Sequence, residues 1–243
     1  MATVDLSQKF EICQDDDEAW QQFLQNGFCV IRLPQTFENT LDDLLEMCKS
    51  IDETWTSDKG SLDKATRSDC EADKHLRYSM NSLTDRNRRE WIQFDESVGK
   101  YLSPLIRNLF SGGYYVARRG GDTCKAGCRS GQGLHSDGSM TRPAYKDAWM
   151  PSWIVMSIAV HDVDRLNAPM RIVTREQMMQ HSYEAPPQGD DVPQQWLEQN
   201  VVMQKGDVLL RDPRVWHSGT PNFTDRDRFL PGQVLRWDGT CCA

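Results

Sequence analysis

The sequence has little of what marks membrane, secreted or nucleic-acid-binding chains. No apolar run approaches the ~20 residues that a membrane-spanning helix needs, so no membrane partner is expected. The opening stretch MATVDLSQKFEICQDDDEAW has neither the basic start nor the apolar core of a signal peptide, which leaves a soluble cytoplasmic protein as the expectation. Positive charge is in deficit, with 28 Lys and Arg against 36 Asp and Glu and a net charge of -8. Phosphate backbones are gripped by surplus cations, so a nucleic-acid partner is not expected either. The eight cysteines include no CxxC spacing of the kind a structural zinc site uses, and free thiols are expected. There is no G-x-S-x-G nucleophile elbow. With no internal repeat or low-complexity linker, the 243 residues are expected to form a single domain over 1–243.

What is present changes character along the chain. Residues 15–25 begin with acidic residues suited to a helix N-terminus, Asn26-Gly27 ends that helix, and FCVIRL (28–33) reads as a strand. Apolar residues at 41, 44, 45, 48 and 51 keep helical spacing, and 85–110 also reads as mostly helical, with a break expected near Pro104. Beyond Ser111-Gly112-Gly113 come short β-type runs: 114–118, 153–160, 170–173, 208–211 and, less regular, 233–237. The expectation is an α+β chain with a mostly helical flank over 1–110 and a mainly β core over 111–243, a sandwich or barrel.

Histidine is scarce at five residues, yet one lies two positions before an aspartate in QGLHSDGS (132–139). Residues i and i+2 of a strand point the same way, so His135 and Asp137 can reach one metal ion. His161, in HDVD after an apolar run, suits a strand end, and His181, in MMQHSYE, suits a helix end or loop. His217 differs, standing after a strand in KGDVLLRDPRVWHSGTPNFTDRDR (205–228), with Arg228 eleven positions further on. Two imidazoles and one carboxylate hold one face of an octahedral ferrous ion and leave three positions open. A bidentate 2-oxo acid and O2 can share those positions. A guanidinium meets the distal carboxylate of such an acid through two parallel hydrogen bonds, and Arg228 or Arg226, of the same strand parity, can supply it.

At these residues the chain resembles the phytanoyl-CoA dioxygenase-like branch of the Fe(II)/2-oxoglutarate-dependent oxygenases. QGLHSDG resembles the family's Q-x-L-H-x-D segment, and 205–228 resembles its G-D-x-L…H-x-x-x-x-N-x-(S/T)-x-x-x-R pattern. NGFCVIRLP (26–34) is similar to the family's opening segment. The resemblance implies a double-stranded β-helix, a cupin-like jelly roll with helices outside. It implies His135, Asp137 and His217 as Fe(II) ligands, Arg228 as the 2-oxoglutarate arginine and Gln132 as a residue near that co-substrate. The implied activity is oxidation of a small organic substrate, hydroxylation being the expected outcome, with release of succinate and CO2. A non-catalytic β-helix binding protein that keeps the metal site is the alternative.

The chain departs from the family in two places. NAPMRIVTREQ (167–177) stands where the family has N-G-x-L-x-x-x-P-G-S-H, and Pro231-Gly232 suggests a bulge or an edge in the last strand. Asp137 occupies the place that halogenating relatives leave free for a halide, so halogenation is not expected. Arg118, Arg119, Lys125 and Arg129 precede the first motif as either a solvated basic face or a means of attracting an anionic substrate.

Overall fold

A computed structural model describes residues 12–13, 15–56, 73, 75–80, 87–138, 151–181 and 185–241. Cys70, Met140 and Cys242 lie outside the described residues. Helix α1 (Asp16–Asn26) starts where the Asp15 carboxylate accepts the Glu18 N–H at 2.8 Å. It ends at Gly27, whose φ of +81° suits glycine. A Cβ there would sit 2.2 Å from a methyl of Val215, so no larger residue fits. Strand β1 (Phe28–Arg32) and helix α2 (Glu38–Thr56) follow.

Helix α3 (Arg89–Phe94) runs into a π turn (Asp95–Gly99) and then into α4 (Lys100–Phe110). The break expected at Pro104 is not there, because that residue lies inside α4. Proline removes one N–H, but Leu102, Leu105, Ile106, Leu109 and Phe110 bury the helix's apolar face and hold it together. Each fully buried aliphatic side chain of this kind contributes roughly 1.5–3 kcal/mol, about the cost of the proline. The irregularity falls one turn earlier, in the π turn.

The large sheet has six strands in the order β1-β7-β4-β9-β3-β2. The strands not yet placed are β2 (Arg77–Ser79), β3 (Gly112–Cys124), β4 (Trp153–Ile158), β7 (Asp207–Arg211) and β9 (Arg228–Cys241). All its pairings are antiparallel. Both edge strands come from the first 110 residues, so the helical flank and the β core share one sheet. A smaller sheet is ordered β6-β5-β8, from β5 (Met170–Ile172), β6 (Asn200–Val201) and β8 (His217–Gly219).

Strand β7 is buried at all five residues, which explains its unbroken apolar reading. Val208 and Leu210 pack into a core shared with the helices, while Leu209 faces a second core with Ile172, Val201 and Trp216 of the small-sheet side. The result is a mainly antiparallel two-sheet jelly roll with helices outside. The last strand corrects another expectation. Pro231 lies in the interior strand β9, not at an edge, and the extra residues fall away from it, in β9 between Trp237 and Cys241 and in β3 between Val116 and Arg118. Pro231 is tolerated because β4 pairs β9 only as far as Gly232, so on that side the ladder asks no N–H of it. Its partner on the other side is Gly121, where a Cβ would come within 2.2 Å of Leu230 O.

Candidate metal centre

His135 and His217 face each other across an isolated antiparallel bridge, with backbone N–H···O bonds of 2.9 and 2.8 Å in the two directions. Their rings lie 4.4 Å apart. Asp137 joins them, because its N–H and that of Gly138 donate to Pro213 O at 3.0 and 3.1 Å. Pro213 belongs to the turn between β7 and β8. Asp212 locks that turn by accepting from Arg214 N and Nε, both at 2.9 Å, and from Arg175 at 2.9 Å. The ligand-capable atoms of His135, Asp137 and His217 all lie within 4.8 Å of one another.

The protonation pattern suits a cation. His135 Nδ1 lies 2.9 Å from Gly133 O, so it carries the proton and leaves Nε2 as a lone-pair donor. His217 Nδ1 lies 3.0 Å from Val215 O and 3.1 Å from an Arg211 nitrogen. These two contacts demand opposite tautomers, since a guanidinium only donates. Donation to Val215 O leaves Nε2 bare beside Asp137 Oδ2, 3.4 Å away, which is the ligand-competent state. Burial first, then the Arg211 charge, pushes the His217 pKa down to about 4. Burial opposes ionisation of Asp137, and a protonated His217 Nε2 would favour it; with that nitrogen bare, Arg211 is the hold, its permanent charge and its donation to Asp137 Oδ2 at 2.7 Å keeping the carboxyl well below its usual range. With each Nδ1 turned to a backbone carbonyl, two Nε2 atoms and a carboxylate converge, and a divalent cation answers that set.

The same residues line a cavity of about 310 Å³ that also includes Gln132, Arg77, Arg118, Trp153 and Arg228. Gln132 is tied to β8, its N–H donating to Gly219 O at 2.8 Å and its Oε1 accepting Gly219 N–H at 3.1 Å. Arg228 is buried and donates to the backbone carbonyls of Ala168 at 3.1 Å and Asp122 at 2.9 Å. Among the described residues no carboxylate pairs with it. Arg226 is exposed and lines a different depression, so it does not share the cavity. The turn feeding Arg228 is built by Asn222, whose amide donates to Arg226 O at 2.8 Å while its Oδ1 accepts the Thr224 hydroxyl at 2.7 Å. The altered segment 167–177 meets the site through Met170, which lines the cavity, and through Ala168, held at φ +61° with its carbonyl on Arg228.

The other residues singled out in the sequence fall elsewhere. His161 is a strand-end group, accepting the Phe229 N–H at 2.9 Å. His181 ends a short helix against Trp196. Trp216 is core, whereas Trp153 lines the cavity. Cys13, Cys29, Cys48, Cys124 and Cys128 are free and buried. Within the basic run, Arg119 pairs with Asp95, Lys125 with Asp52 and Asp227, and Arg129 sits over Phe223. Two cavity residues, Arg77 and Arg211, had not been picked out from the sequence. A charge inside the apolar run VLLR was the available signal for Arg211, because a buried guanidinium requires a counter-ion.

The profile of the family described as phytanoyl-CoA dioxygenase (PhyH) matches residues 23–230. None of the curated proteins matches the chain. Among solved structures, AviO1 from Streptomyces viridochromogenes aligns with 18% identity and a TM-score of 0.60, covering 96% of this chain and 100% of that one. The non-heme monooxygenase ThoJ aligns with 17% identity and a TM-score of 0.60, over 90% of this chain and 76% of that one. The epimerase SnoN, solved with Fe3+, alpha ketoglutarate and nogalamycin RO, aligns with 13% identity and a TM-score of 0.61, over 91% and 83%. These likenesses concern the fold.

Proposed function

The chain belongs to the phytanoyl-CoA dioxygenase family, and on that premise we propose that it is a non-haem Fe(II)- and 2-oxoglutarate-dependent dioxygenase that hydroxylates a small organic substrate. The observation that carries the proposal is one cavity holding both the His135–Asp137–His217 cluster and a buried arginine that lacks a carboxylate partner among the described residues. Bound there, iron supplies the redox chemistry, in which O2 and 2-oxoglutarate become succinate, CO2 and one oxygen atom inserted into a C–H bond.

The chain's own residues hold and aim the reactants. Gly133 O and Val215 O fix the two imidazoles with Nε2 inward. Arg211 keeps Asp137 ionised and holds its Oδ2, the oxygen that lies 3.4 Å from His217 Nε2. Arg228, anchored by two carbonyls, presents its remaining N–H to the distal carboxylate of 2-oxoglutarate. Gln132 stands beside the same space. No protein base is needed, since the hydrogen leaves with the oxidant.

The family resemblance and the donor set both support this reading. The structural neighbours include a monooxygenase and an epimerase, so hydroxylation rests on the site and is tested by its product. Conversion of 2-oxoglutarate to succinate by the iron-loaded protein, followed by NMR and abolished in His135→Ala, is the expected result. A metabolite screen should add one oxygen atom to a substrate. Iron-loaded protein that makes no succinate with any metabolite offered would instead support a non-catalytic binding protein.

A further inference from the structure

The cavity has a second end, and its chemistry is set by a single inserted residue in β3. Before the register shift, Tyr114 and Val116 pair with Trp237 and Leu235 and pack against the helical core. Strict alternation would send Arg118 to that same helical face. The extra residue between Val116 and Arg118 reverses the phase, so that Arg118 pairs with Val234. Beyond the insertion Arg118 and Asp122 line the cavity, while Arg119 turns to the helices and meets Asp95.

Arg118 thereby ends a row that crosses four strands on the cavity side: Arg211 opposite Val155, Val155 opposite Val234, and Val234 opposite Arg118. All four line the cavity. Arg211 at one end grips the metal-site carboxylate. Three strand spacings of ~4.8 Å place Arg118 roughly 14 Å away along the row. Between them the wall is apolar, from Val155, Val234 and Trp153. Arg228 and Arg77 lie at the other end, paired with Cys124 of β3 on its two sides.

Around the cavity, four guanidiniums (Arg77, Arg118, Arg211, Arg228) face two carboxylates (Asp122, Asp137), in a protein whose net charge is -8. Arg211 is engaged with Asp137. Arg118, among the described residues, makes no hydrogen bond or ion pair, and it is exposed at the cavity wall.

We propose that Arg118 anchors an acidic group of the substrate, so that the site takes a small acid, a carboxylate or a phosphate monoester, with an apolar body laid along Val155, Val234 and Trp153. This rests on the proposed oxygenase reading for the position of the metal and 2-oxoglutarate. The anion then sits at the far end of the row, and the C–H bonds of the apolar body lie between it and the metal cluster.

The test is calorimetric titration of protein loaded with Zn(II) and 2-oxoglutarate, which turns nothing over. Three probes share one body: 4-phenylbutyrate, phenethyl phosphate and 4-phenylbutan-1-ol. At least one anion should bind at least about tenfold more tightly than the alcohol, the worth of one partly exposed charge-assisted contact. Whichever anion it is identifies the acid class. Arg118→Gln should erase that preference, Arg118→Lys should keep part of it, and Arg226→Gln, outside the cavity, should leave it intact. Equal affinities across the probes, no binding by any of them, or an anion preference that survives Arg118→Gln overturns the proposal. Failure of the wild-type protein to form succinate would sink the oxygenase reading instead, and the two failures are separable because the titration requires no turnover.

Discussion

Arg228→Met separates stability from co-substrate binding. The wild-type guanidinium is buried, and burial lowers its pKa below the ordinary guanidinium value. Its neutral replacement has similar volume. The change relieves a buried charge, worth several kcal/mol, but strips hydrogen bonds from Ala168 O and Asp122 O, at about 1–3 kcal/mol each. The two effects oppose, so the stability of the ligand-free protein should move by no more than about 2 kcal/mol. Binding of 2-oxoglutarate has no such compensation. Losing a paired, charge-assisted contact of about 3 kcal/mol lowers affinity by about 100-fold. At 100 times the wild-type Kd, the co-substrate stabilises the wild-type fold by about 2.7 kcal/mol, or roughly 5–10 °C in Tm for a chain of this size. At the same concentration the variant is near its own Kd and should gain only about 0.4 kcal/mol, roughly 1 °C. Anaerobic melts with Fe(II), with and without 2-oxoglutarate, read this directly. A full wild-type shift in Arg228→Met, or its loss in Arg226→Met, would refute the assignment.

Two other perturbations follow from the metal cluster. Arg211→Met releases Asp137 from its 2.7 Å contact, and Fe(II) affinity measured against a competing chelator should fall by about 10- to 100-fold, the usual cost of losing a supporting partner; unchanged affinity would show that Asp137 positions itself. The His217 pKa of about 4 lies below the ordinary histidine value, so the metal-free protein binds fewer protons than its unfolded chain between about pH 6.5 and 4. Stability should therefore fall by about 3 kcal/mol as pH drops through that window, measured by urea denaturation. His217→Gln should flatten this part of the profile, and an equal slope in the variant would place the effect elsewhere.

The residues that converge in the cluster were readable because their spacing carries chemistry. An i, i+2 pair on extended backbone and a later His–Arg pair separated by a turn can be recognised without knowing which strands are neighbours. The supporting residues were not readable in that way. Arg211 acts on Asp137 across 74 positions of chain, and Arg77 comes from a strand of three residues. Strands β6 and β8, of two and three residues, are likewise too short to show a period. Both prolines were misjudged for one reason. Sequence shows the missing N–H, but only tertiary packing around α4 and the end of the β4 pairing show that nothing there needed it. Arg118 was visible as one of four basic residues, yet the inserted residue that separates it from paired Arg119 appears only in the register.

The central claim is that His135, Asp137 and His217 hold one iron atom which 2-oxoglutarate joins. Anaerobic addition of Fe(II) and then 2-oxoglutarate, followed by visible absorption, tests it most directly. A weak metal-to-ligand charge-transfer band should appear in the wild-type protein with one iron per chain and be absent in His217→Ala. No band in the wild type, or an undiminished band in His217→Ala, would contradict the account.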